Sequence, residues 1–213
     1  VWDLSRIYDQ GKINQANANN PTDPGLRGSY FQIDGVITGP GGLTKIGQDV
    51  ILLSGASTYL GQTRIDDGVL QLGRADALPV TTGLVLGTTS GSLDLNGYDQ
   101  RVASLSGAAG VVTNGAFALN TLTVRQTADT TFAGTLDGNV VLRKEGAGVL
   151  TLAPVDAMGV TTTGNGYRGD SVFAGGLVSV AMDAALGDVP NSFDADNLAF
   201  AGGGLRATSS FSL

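Results

Sequence analysis

Carboxylates are the side chains in this sequence with the most chemistry to offer. There are 19 Asp and Glu against 12 Lys and Arg, with no His and no Cys. Asp66-Asp67, Asp94 with Asp99, and Asp194 with Asp196 stand close enough in sequence to converge, and Glu145 is the only Glu. Two carboxyl groups flanking a sugar bond suffice for glycoside hydrolysis. Each pair has a plainer reading. Asp66-Asp67 precedes Gly68, where Asp is ordinarily chosen for backbone reasons, and the other two pairs read as solvated faces. Without His, a Ser-His-Asp triad cannot be assembled from these residues. A Ser-Lys pair is formally open, but Lys45 and Lys144 recur at matching places in the chain and read as structural. Absence of Cys rules out thiolate zinc and disulfides. Neither a Gly-Gly-x-Gly-x-Asp calcium nonapeptide nor an EF-hand loop occurs. We therefore expect no catalytic residue, no metal and no cofactor.

The net charge is −7 and the pI about 4.3. None of the 12 basic residues forms a run, so a phosphate backbone or an anionic membrane surface is a poor partner. No apolar stretch approaches the ~20 residues that span a bilayer as a helix. The first residues, VWDLSRIYDQGKINQ, lack the basic-then-apolar layout of a signal peptide. The chain reads as a piece of something longer.

The elements that would position these side chains are short strands. From Phe31 onward, apolar runs such as Val50–Leu53, Val69–Leu72, Val149–Leu152 and Leu177–Val180 recur, many of them roughly 8–12 residues apart. Leu93-Asp94-Leu95 and Leu122-Thr123-Val124 alternate as half-buried strands do. Asn-Gly, Asp-Gly and Gly-Gly pairs punctuate the runs. Those pairs suit β-hairpins, and equally the tight corners of a β-helix. Residues 1–30 differ: they are polar and Asn-rich, and read as an irregular segment or cap in which Trp2 and Tyr8 cover an open first coil.

An internal repeat decides between hairpins and coils. LTKIGQDVILL (43–53) returns as LRKEGAGVLTL (142–152), 99 residues on. Tyr59-Leu60-Gly61-Gln62-Thr63 returns as Tyr167-Arg168-Gly169-Asp170-Ser171, 108 residues on, and Ala77-Leu78 as Ala185-Leu186. A sandwich has no reason to restate so long a phrase, whereas a solenoid does. The expected architecture is all-β, a right-handed parallel β-helix of roughly 8–9 coils over residues 31–213. The copies differ by nine extra residues in PVDAMGVTTTGNG (154–166), an insertion that would bulge from one coil and carry contacts that scaffolds do not. Tyr59 with Tyr167, and Ile65 with Phe173, read as stacking ladders or covers on turns.

The segment GGLTKIGQDVILLSGASTYLGQTRIDDGVLQLG (41–73) resembles the passenger-associated strand repeat of bacterial autotransporters. Residues 142–180 resemble a more divergent copy. This resemblance implies a β-helical passenger carried to the cell surface, or released, by a C-terminal outer-membrane barrel whose membrane strands do not occur here. Family passengers act as adhesins, self-associating factors or stalks. The resulting expectation is a non-enzymatic surface segment that binds host or bacterial surface molecules or itself. The alternatives are a passive stalk beneath a catalytic domain such as a protease, and a polysaccharide-processing β-helix enzyme.

Overall fold

A computed structural model describes residues 2, 3, 30–87, 91–154, 164–188 and 197–210. Every strand pairing among them is parallel, and each strand pairs with others one coil before or after it. Three sheets result, with nine, seven and five strands. The chain visits them in rotation. For example, it passes through Ser104–Gly107 in the nine-stranded sheet, Val111–Asn114 in the seven-stranded sheet and Asn120–Arg125 in the five-stranded sheet. Six successive turns between Leu43 and Tyr167 place a strand in both larger sheets, so the fold is a β-solenoid of about six full turns. The nine-stranded sheet continues past them, to Trp2–Asp3 at one end and Gly204–Ala207 at the other.

Alternation builds the core. Within Val50–Leu53 and Val69–Leu72 the second and fourth residues point inward and are buried. Parallel register then stacks like on like. Phe31, Ile51, Leu70, Leu93, Val112 and Leu136 follow one another up the seven-stranded sheet. Ile65, Leu86, Gly107, Phe132, Leu152 and Val180 do so in the nine-stranded sheet. Gly107 leaves no room for a side chain in that column, since a Cβ there would lie 2.2 Å from the Leu86 carbonyl oxygen. The ring of the fully buried Phe132 occupies the place where a Cβ on Gly134 would come within 2.6 Å of it. Burying each such side chain contributes about 1.5–3 kcal/mol. No single coil can keep its apolar edges dry, so the stack holds together through neighbours.

The all-β expectation from the sequence agrees with this fold; the one ordered helical turn among the described residues is a short 3-10 segment at Asp183–Leu186. The repeat has a geometry that its spacing did not reveal. The first copy runs from Leu43–Lys45 in the nine-stranded sheet to Val50–Leu53 in the seven-stranded one. The second runs from Val140–Glu145 in the five-stranded sheet to Val149–Leu152 in the nine-stranded one. The later phrases shift in the same way, Thr63–Ile65 and Ser171–Phe173 lying in different sheets. The copies are thus displaced by one face of the solenoid and do not stack on each other. What repeats is a strand-corner-strand module that fits any edge of a three-sided coil.

Candidate functional site

The repeated lysines sit at the heart of that module. Lys45 and Lys144 are both fully buried. Lys45 Nζ donates to the carbonyls of Ile46 (3.1 Å), Gly47 and Asp67 (2.9 Å). Lys144 Nζ donates to those of Glu145 (2.7 Å), Gly146 (2.9 Å) and Gly175 (3.2 Å). In each case the first two carbonyls belong to the lysine's own corner and the third to the same corner one coil on. The ammonium therefore latches two coils together, satisfying carbonyls that a tight corner would otherwise bury without donors. Burial holds both lysine pKa values below the usual range, opposed by Asp49 and Asp67 for Lys45 and by Asp129 for Lys144.

This geometry accounts for the acidic pair. Asp67 aligns with Gly175 because only its carbonyl is required; its side chain accepts from the Gly68 amide at 2.9 Å. Asp66 is held by Arg64 through both carboxylate oxygens, at 2.6 and 2.9 Å. Asp94 accepts from Gln71 (2.8 Å) and the Asn96 amide (2.8 Å), whereas Asp99 accepts from Asn120 (3.2 Å) and the Thr121 amide (2.8 Å). The sequence neighbours therefore serve different sheets. Glu145 pairs with Arg143 on the surface at 2.7 Å. Asp194, Asp196, Tyr8 and residues 155–163 of the insertion lie outside the described residues. Where the insertion rejoins the coil, Asp137 and Asp188 line a shallow cleft with Thr135, Gly164, Asn165 and Gly166, and Asp188 faces Arg168 at 3.5 Å. Among the described residues no group of three metal-ligating side chains occurs.

Tyr59 and Tyr167 occupy equivalent interior places, each 1% exposed, with hydroxyls bonded to Thr63 and Ser171 respectively. They lock corners; the aromatic ladder lies elsewhere, where Phe173 meets Phe200 edge-on with centroids 5.4 Å apart. Burial pushes both phenols from 10 to about 12. An unfolded tyrosine loses its proton first, so their contribution is intact below pH ~10 and lost between ~10 and ~12, about 2–3 kcal/mol for each. The lysines act in the opposite sense, since their burial cost is relieved as pH approaches 10.5 from below. The melting temperature should thus fall steeply only above about pH 10.5. Replacing both tyrosines by Phe should flatten that fall, as followed by circular dichroism.

Four buried amides that composition did not single out perform similar corner work. Gln100 accepts from the Leu78 amide and donates to the Leu78 carbonyl, both at 3.1 Å, so its side chain stands in for a neighbouring strand. Asn114, Gln126 and Asn165 also bond corner backbone groups. Their only sequence signal was Asn before Gly at 114 and 165, which also fits an exposed turn.

With these groups committed inside, the exterior is left to hydroxyls and a few apolar residues. Thr131 and Thr151 succeed one another on the outer face of the nine-stranded sheet, and the next residue in that column, Ser179, is covered by Arg206, whose Nε donates to its hydroxyl at 3.1 Å. Phe117 is wholly exposed and Leu119 about half, on the corner after Val111–Asn114.

Geometry of this kind defines a β-solenoid scaffold. Over 182 residues, 83% of its length, the chain is 34% identical to the adhesin BmaC autotransporter of Brucella suis biovar 1 (strain 1330), of which it spans 5%. It is 29% identical over 198 residues to the uncharacterized protein YuaQ of Escherichia coli (strain K12), spanning 14% of that protein. No family model and no solved structure matches it. Parallel coils and this similarity together make the chain autotransporter passenger-like.

Proposed function

We propose that the chain is a non-enzymatic, surface-exposed passenger segment that mediates adhesion or self-association at the bacterial surface. The observation that carries this reading is the commitment of the buried lysines and of Asp66, Asp67, Asp94 and Asp99 to corners and neighbours, which leaves hydroxyl-bearing faces as the contact area. The BmaC adhesin supports it. We further propose right-handed winding, the hand that parallel strand crossovers take almost without exception, and a total of eight to nine coils, in keeping with the eight strands that residues 31–213 contribute to the nine-stranded sheet. In this reading residues 1–30 cap a single solenoid formed by 31–213. Host or bacterial surface molecules, or other copies, are the partners.

Cells displaying the segment should clump or adhere, and clumping should weaken on replacing Thr131 and Thr151 together by Lys, since like charges would then oppose across any face-to-face contact. Settling assays and binding to immobilised surface extracts provide the readout. Displaying cells that neither settle nor bind, with a purified segment that stays monomeric, would overturn the proposal. Turnover of a glycan panel that disappears on replacing Asp66 and Asp67 by Asn would favour the enzyme instead.

A further inference from the structure

Three Asn-Gly pairs, at 96–97, 114–115 and 165–166, carry a chemical liability. In such a pair the glycine amide nitrogen can attack the side-chain carbonyl carbon. A new C–N bond closes a cyclic imide, the C–NH2 bond breaks, and the amide proton departs with ammonia. Solvent water then opens the ring to Asp or isoaspartate. The attack needs a mobile side chain and an unhindered following residue, which glycine supplies.

We propose that Asn114-Gly115 is a latent modification site, protected by the fold and written on when the chain is unfolded, so that deamidation there permanently blocks refolding. The Asn114 side chain is fully buried. Its Nδ2 donates towards the carbonyls of Ala118 (2.9 Å) and Asn139 (2.8 Å) and towards Asn120 Oδ1 (3.1 Å). Its Oδ1 accepts from the amides of Gly97 (3.0 Å) and Ala116 (3.2 Å). These bonds join three consecutive coils and hold Cγ away from attack. An aspartate has no proton for the two carbonyls and would set a buried negative charge against them. An isoaspartate would add a backbone atom to a strand paired on both sides.

Gly115 is the informative neighbour. Its backbone is not left-handed, and a Cβ there would meet nothing within 4 Å. Gly97, by contrast, has φ +85°, and a Cβ on Gly166 would lie 2.7 Å from Asp137 Oδ1. At 115 the fold does not require glycine, so Gly115→Ala removes the lability and leaves the corner intact.

The purified chain should be incubated folded and in denaturant at mildly alkaline pH. It is then diluted to refold and sorted by protease resistance, with position 114 assigned in each fraction by peptide mass spectrometry. Folded chains should keep Asn114 more than about tenfold longer than denatured ones, since reaction must wait for opening. Refolded material should contain Asn114 only, and modified 114 should collect in the protease-sensitive fraction. Gly115→Ala should slow the loss of refolding through the same incubation, leaving the part that comes from Asn165-Gly166, whose buried amide also bonds corner backbone. Equal reaction rates in folded and unfolded chains, or modified 114 in equal proportion in both sorted fractions, would overturn the proposal without recourse to any variant. Loss of refolding in Gly115→Ala as fast as in the parent would do the same.

Discussion

Lys144→Met should lower the unfolding free energy by about 3–4 kcal/mol, although the replacement fills nearly the same space with an apolar chain. The expectation rests on three carbonyls, of Glu145, Gly146 and Gly175, that share one ammonium donor. A hydrogen bond from a charged donor contributes about 1.5–3 kcal/mol net, and a stranded buried acceptor costs about 1–3. Recovering the lysine's burial cost, visible in its lowered pKa, offsets only part of this. Arg143→Met, one residue away, is the control. Its ion pair with Glu145 is 39% and 31% exposed, so the change should stay within about 1 kcal/mol. Urea unfolding of the two variants makes the comparison. Damage in a solenoid is felt first by adjoining coils. Amide exchange in Lys144→Met should therefore accelerate around Val140–Glu145 and Ser171–Phe173 before it does around Leu43–Lys45. If Lys144→Met matched Arg143→Met, the latch would be ornament and the repeated lysine would need another explanation.

The second large effect is expected at Gly68. Its φ is +66°, and a Cβ would lie 2.3 Å from the Gly47 carbonyl and 2.5 Å from Lys45 Nζ. Gly68→Ala therefore combines a left-handed backbone cost of about 1–2 kcal/mol with overpacking of about 1–3, and it displaces the lysine as well. A loss of about 2–5 kcal/mol follows. Gly47→Ala separates the two contributions. There φ is +73° but nothing lies within 4 Å of the added carbon, so only the backbone cost of about 1–2 kcal/mol applies. Equal midpoints for the two variants in denaturant titration would mean that the corner is looser than its geometry, and that the inter-coil latch does not constrain Gly68.

Much of this architecture is legible in the residues, because a solenoid writes each coil in nearly the same terms. Two-residue alternation in Leu93-Asp94-Leu95 signalled one buried face, and the doubled phrase signalled a stack. Aligning the copies also placed Lys45, Lys144, Tyr59 and Tyr167 in the scaffold. The displacement of the copies by one face was hidden, because every corner of a three-sided coil poses the same backbone problem. A sequence that solves it is silent about which edge it occupies. The buried amides were hidden for a related reason. Gln100 and Asn114 are polar residues beside turns, and nothing local separates an amide aimed outward from one folded in to serve a neighbouring coil. Asp66-Asp67 was the reverse case. As a bare pair it suggested chemistry, and only the lysine bond to the Asp67 carbonyl showed that one member of the pair lends its backbone alone.

The central claim is that the two repeat copies lie on different faces of one parallel stack, and engineered disulfides test it most directly. The chain has no Cys, so introduced pairs report without background. Thr123 and Arg143 face each other on adjacent coils of the five-stranded sheet, within the Cα separation a disulfide needs, about 4.4–6.8 Å. Thr44, the first copy's counterpart of Arg143, lies in the nine-stranded sheet, and so does Thr131. Upon mild oxidation, Thr123→Cys with Arg143→Cys should cross-link within single chains, whereas Thr131→Cys with Arg143→Cys should keep both thiols free. A cross-link of position 143 to 131 in place of 123 would put Arg143 on the face that holds Thr44, place the copies on a common face and contradict the account.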